Sequence, residues 1–313
     1  MAYLVFRQLV IMTLICLVSF VVARAGHFGE RESKFLSYLL LYMISPAMII
    51  STYNRDFDAE RWHFFLIMFG LCFATFLIQI ALSMFWGRPK DKEDDRRRSI
   101  DKVMVVYSNA GYIGIPIIQA VMGPDAVFYL MIYILVFNLV LWVHGQWLMT
   151  GAISVKAVLT KPTVISAILA ILLFVSPFKL PFVVGETARI LADLNTALSM
   201  IVLGIIFADF KKPESKLPVF RLALVSFVRL IAIPAFFIFL LWLLRSFFPD
   251  GTQMEVLRNI LVIVVGCPAG MVSANFALLY DKDYQYASFA VAITTALCVL
   301  TLPVMVGIAE AIL

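Results

Sequence analysis

Charge is scarce in this sequence. Of 313 residues only 14% are Asp, Glu, Lys or Arg, against 63% hydrophobic, and the mean hydropathy is +0.97. A soluble globular chain fills its core with about half its residues apolar, so this composition excludes one and makes lipid the solvent for most of the chain. Cysteine is sparse too. Cys16, Cys72, Cys267 and Cys298 stand singly in apolar segments, with no CxxC pair and no histidine cluster, which argues against a disulfide framework or a zinc site. The three histidines, His27, His63 and His144, fall in or near loops or helix ends and read as interfacial. No HExxH run, paired aspartates or nucleophile with a base lies in the apolar segments, so an enzyme is not expected, and neither is a catalytic residue, a metal ligand or a cofactor. The net charge of +5 would suggest nucleic acid for a soluble chain. Here the basic residues flank apolar runs and act as topology signals, so the expected surroundings are membrane lipid and no nucleic acid.

Long apolar runs are what the chain has in quantity. A spanning helix takes roughly 20 apolar residues, and hydropathy gives ten candidates: 4–23, 35–53, 62–86, 102–122, 125–149, 160–177, 186–208, 217–247, 256–280 and 285–312. The first imitates a signal peptide, with Ala23-Arg24-Ala25 resembling a cleavage site, but the helix count needs it as a span. The longest polar linker is Gly87 to Asp101. Counting Lys and Arg in alternate linkers puts seventeen on one side, including Arg88, Arg96, Arg97, Arg98, Lys211 and Lys282, and seven on the other. That bias makes the linker around residue 96 cytoplasmic and both termini extracytoplasmic, in a cell membrane.

The two halves, 1–149 and 150–313, repeat one feature. The fourth segment is interrupted by NAGYIGIP, Asn109 to Pro116, and the ninth by GCPAG, Gly266 to Gly270. Each is the fourth of a five-helix half, and because five is odd the second half enters the membrane inverted. Proline removes a backbone donor and glycine permits irregular backbone. Irregular backbone at membrane depth survives only inside protein or beside water, and paired interruptions of this kind point to a transporter binding site. Half-helix N-termini there would present free N–H groups and partial positive charge, suited to an anion such as a carboxylate. Gly266 and Gly270 also form a GxxxG that can simply pack helices, and Asn109 and Asn138 can simply bond between helices. Arg229 lies deep in the eighth segment and needs a partner, Asp193 or backbone carbonyls, unless it serves the substrate directly.

The run SNAGYIGIPIIQAVMGPDAVFYLMIYILVFNLVLW from Ser108 resembles the fourth and fifth helices of the auxin efflux carrier family, which includes plant PIN carriers and bacterial carriers of malate and malonate. VVGCPAGMVSANFALLYDKDYQYASFAVAITTALCVLTLP from Val264 resembles its ninth and tenth, and Ser45-Pro46-Ala47 fits its second. The resemblance implies an all-α membrane protein of ten transmembrane helices in two inverted five-helix repeats. Helices four and nine would be broken and cross at Pro116 and Pro268. A scaffold of helices 1, 2, 6 and 7 would form homodimers, and a transport domain of helices 3–5 and 8–10 would move as an elevator. It also implies that Asn109 contacts a substrate carboxylate and that Asn138 is the family's polar residue in helix five. Together these readings mark Asn109, Gly111, Tyr112, Pro116, Asn138, Pro268, Ser273, Asn275 and Arg229 as candidate substrate-binding residues for a small mono- or dicarboxylate. The chain departs from the family pattern at Ala197, where many members have proline, and lacks the long cytoplasmic loop of plant carriers. The third segment lacks an acidic residue and offers only Thr75 and Gln79 as central polar groups, so H⁺ coupling has no obvious carrier, and Na⁺ coupling or uniport is left open. A Na⁺-coupled symporter of the bile-acid type shares this architecture and is the nearest alternative, ahead of a channel.

Overall fold

The computed structural model describes residues 1–86, 92–152, 160–209, 218–247 and 251–313. These are almost wholly helical: α1 (Ala2–Arg24), α2 (Arg31–Tyr53), α3 (Ala59–Met84), α4 (Lys92–Val106), α5 (Ala110–Met122), α6 (Pro124–Thr150), α7 (Pro162–Val175), α8 (Phe182–Ala208), α9 (Val219–Leu243), α10 (Thr252–Gly266), α11 (Val272–Leu279) and α12 (Tyr284–Ile312). Seven of them, α1, α2, α3, α6, α8, α9 and α12, are long and apolar enough to cross a membrane. Every hydropathy segment contains helix, but the fourth starts ten residues before its expected 102. The stretch from Lys92 to Asp101, read from sequence as linker, is the first part of α4. Hydropathy missed it because those turns are held by charge: Arg97 pairs with Asp283 at 2.7 Å, and Arg221 of α9 reaches Asp94 at 2.5 Å and Asp101 at 2.6 Å.

Four helices contain a single π-helical turn, in which a backbone N–H reaches five residues back. Three have a covalent cause. The turns at Leu40–Ile44, Ala110–Gly114 and Val228–Ala232 each end two residues before a proline, Pro46, Pro116 or Pro234. Proline supplies no N–H and its ring crowds the preceding turn, so the helix widens just ahead of it. The fourth, Leu141–Gly145 in α6, has no proline after it.

Two groups of helices pack internally. In one, α1 lies along α8, and α2 packs on α7 and α8; across to the other, α1 also packs on α12 and α5, and α7 on α6. Contact between α1 and α8 is backbone to backbone at Gly204, where an added Cβ would collide with the carbonyl of Cys16 and the hydroxyl of Ser19. In the other, α3 packs on α6, α9 on α10, and α10 and α11 on α12. Linker contacts sort into two sets. At one end Arg96, Arg97 and Lys282 pair with Asp281, Asp283 and Asp95. At the other, Asp125 takes Arg55 at 2.7 Å and Arg61 at 3.0 Å, and the amide of Leu180 donates to Asn54. The N-terminal ammonium lies 2.5 Å from Glu310, so the two ends of the chain meet.

Candidate functional site

Between α4 and α5 the chain leaves the helix through Tyr107, Ser108 and Asn109; between α10 and α11 it does so through Cys267, which is extended, Pro268 and Ala269. The two breaks lie side by side as a two-residue antiparallel pairing. The Asn109 N–H donates to the Pro268 carbonyl at 2.8 Å, and the Gly270 N–H donates to that of Tyr107 at 2.9 Å. Helix interruption frees backbone groups in a buried place, and each interruption satisfies the other. Gly270 is required by this approach, since a Cβ there would sit 3.0 Å from the carbonyl oxygens of Tyr107 and Ser108. Gly266 instead faces Leu302 of α12, so the GxxxG pair serves two different contacts. The Ala269 N–H is taken by the Thr294 hydroxyl of α12 at 3.3 Å, and the Ser108 hydroxyl meets that of Tyr133 at 3.1 Å.

Arg229 is fully buried beside this pairing. Its Nε donates to the Cys267 carbonyl, Nη1 to Val105 and Nη2 to Val265, each at 3.0 Å. These carbonyls close the C-terminal ends of α4 and α10. A helix C-terminus carries about half a negative charge, so one guanidinium offsets two of them and satisfies acceptors that proline and extended backbone leave without amides. Asp193 is not its partner; that carboxylate pairs with Arg189 at 3.1 Å.

The opposite ends, the N-termini of α5 and α11, have no such compensation. Asn109, 3% exposed, stands immediately before α5, and its Nδ2 has no hydrogen-bond partner among the described residues. Ser273, in the first turn of α11, is fully buried with its Oγ also unpartnered. A buried donor without an acceptor costs about 1–3 kcal/mol, so each of these leaves an unmet donor at a half-helix N-terminus. Gly111 has open space on its side-chain face, and Pro116 is buried in α5. Tyr112 packs both on the main core and against Leu40, Ile44 and Val202 of α2 and α8, so the α5 break borders the other helix group.

Two candidates are placed elsewhere. Asn138 donates to the Ile134 carbonyl of its own helix at 2.8 Å and accepts from Thr163 of α7 at 3.2 Å, a bond between helices. Asn275 lies on the exposed side of α11. It is two residues, or about 200° of helical rotation, from Ser273, so the two cannot face one site. Of the polar groups in α3, Thr75 bonds back to Leu71, whereas Gln79 is fully buried with both amide atoms unpartnered. Sequence reasoning missed Tyr107, Tyr133 and Thr294; only the Thr294-Thr295 pair in an apolar run gave a signal. It also placed His144 at an interface, yet His144 sits within α6, half-buried, its Nδ1 2.9 Å from the Tyr107 hydroxyl. Among the described residues no group of three or more His, Cys, Asp or Glu side chains could hold a metal ion.

A family model described as "Membrane transport protein" matches residues 4–153 and 147–306, nearly the whole chain in two stretches. Comparison with curated proteins gives no match.

Proposed function

Since the chain belongs to the membrane transport protein family, that of the auxin efflux carriers, we propose that it is a secondary carrier of a small organic anion, a mono- or dicarboxylate, bound where the two broken helices meet. The observation that carries this reading is the asymmetry of compensation there. Arg229 neutralises the two C-terminal half-helix ends. The two N-terminal ends keep partial positive charge of about half a unit each beside the unpaired donors of Asn109 and Ser273. A carboxylate supplies the missing acceptors and the missing charge together.

The internal packing of two helix groups supports alternating access by movement of one against the other. The group of α3–α6 and α9–α12 would carry the site, and the group of α1, α2, α7 and α8 would act as frame and as the homodimer surface. Segregated linker contacts, with the chain ends meeting, fit ten crossings in inverted five-helix halves, both termini outside a cell membrane. The test is counterflow into proteoliposomes preloaded with malate, malonate or indole-3-acetate. Saturable exchange of at least one supports a carrier, while linear, non-saturable flux would make it a channel.

A further inference from the structure

The π turn at Leu141–Gly145 has no proline to cause it. An inserted residue rotates the remainder of the helix by about 100°, weakens the helix, and persists where the surroundings hold it. Here Gly145 lets the wider turn settle against Tyr107 and Phe276, whose rings lie 3.4 Å and 3.2 Å from the position a Cβ would take. The side chain presented beside them is His144, whose Nδ1 lies 2.9 Å from the Tyr107 hydroxyl. That hydroxyl has a second acceptor in reach, the Val140 carbonyl at 3.1 Å. The Tyr107 backbone carbonyl is the one that accepts from Gly270 across the two breaks. A titratable group is therefore one side chain removed from the helix crossing.

We propose that His144 is a proton site linked to the anion site, taking up one proton at Nδ1 when an anion binds at the crossing. The proposal rests on the anion-carrier reading above. When neutral, the imidazole accepts the Tyr107 O–H at Nδ1 and keeps its own hydrogen on Nε2. A proton from water then adds to Nδ1, which becomes a donor to the Tyr107 oxygen, and the tyrosine O–H turns to the Val140 carbonyl. No bond to carbon changes. The groups that face the π turn give the direction of the linkage. Tyr107 and Lys102 face it from α4, Phe276 from α11, and Lys161, over the Trp142 ring at 3.6 Å, from the start of α7; Tyr280 lies behind Phe276. Among the described residues no carboxylate pairs with His144, so no negative partner holds an imidazolium there while the site is empty. A bound anion supplies negative charge near it, and by reciprocity the proton favours the anion by the same factor. The coupled ion is then H⁺, carried with the anion.

Calorimetric titration of the purified protein with malate, malonate and indole-3-acetate, in two buffers of different ionisation enthalpy between pH 5 and 8, reads protons taken up per anion bound. Wild type should take up protons within the histidine range, and His144→Gln should lower this uptake at least tenfold. Tyr107→Phe keeps the ring and removes only the switching hydroxyl, and it should shift the pH dependence of affinity. Anion binding without proton uptake at any of these pH values, equal uptake by His144→Gln, or, should that variant not fold, an unchanged pH profile in Tyr107→Phe would overturn the proposal. Failure of all three anions to bind wild type would instead strike the anion site itself, and this inference with it.

Discussion

Arg229 shows what one residue contributes and how far a sequence can disclose it. Its depth in an apolar segment is plain from the sequence, and a charge at that depth must have partners. Which partners was not legible, because the three carbonyls belong to residues 36 to 124 positions away and are freed only by the folded breaks. Arg229→Ala leaves three buried acceptors unpaired at about 1–3 kcal/mol each, and should sharply lower the yield and melting temperature of the detergent-purified protein. Arg229→Lys restores the charge, but one ammonium cannot reproduce the planar fork, so its melting temperature should fall between the two. An Arg229→Ala protein melting with wild type would mean that the guanidinium is not the cap described. Asn138 gives the converse lesson: a lone asparagine in an apolar run is ambiguous, and here its bonds join α6 to α7.

At the scale of elements, the breaks in the fourth and ninth segments and their equivalent places in two halves were legible because proline and glycine act locally on the backbone, whereas their meeting in space was implied only by the family resemblance. The π turn of α6 was not legible. It depends on Tyr107 and Phe276 packing at Gly145, contacts far apart in sequence. Gly270 and Gly111 separate close approach from open space. Gly270→Ala pushes a methyl against two carbonyl oxygens at 3.0 Å and must part the two paired segments, a strain of about 1–3 kcal/mol. It should lower both melting temperature and anion affinity. Gly111→Ala meets nothing within 4 Å and should melt with wild type. Similar melting of the two variants would contradict the pairing geometry.

For the whole molecule, the charge bias and the apolar helix segments could be read from composition, since lipid imposes them on any chain that crosses it, and the two halves from their matching Gly/Pro interruptions, in keeping with a family model that matches twice. The polar start of α4 could not, because its turns are stabilised by ion pairs with distant linkers. The cytoplasmic placement proposed for that face from the charge bias predicts that a single cysteine at Asp281, which is fully exposed, reacts with an impermeant thiol reagent only from the cytoplasmic side, in a background without the four native cysteines. Labelling in intact cells from outside would invert the orientation. The central claim, that the crossing of the two breaks binds an anion through donors the fold leaves unpaired, is tested most directly by the affinity of purified wild type and Asn109→Ala for malate, malonate and indole-3-acetate at matched protein levels. A lost hydrogen bond to a charged group is worth about 1.5–3 kcal/mol, so Asn109→Ala should fold and bind roughly tenfold to a hundredfold more weakly. Equal affinity would place the anion elsewhere and leave the breaks as packing features.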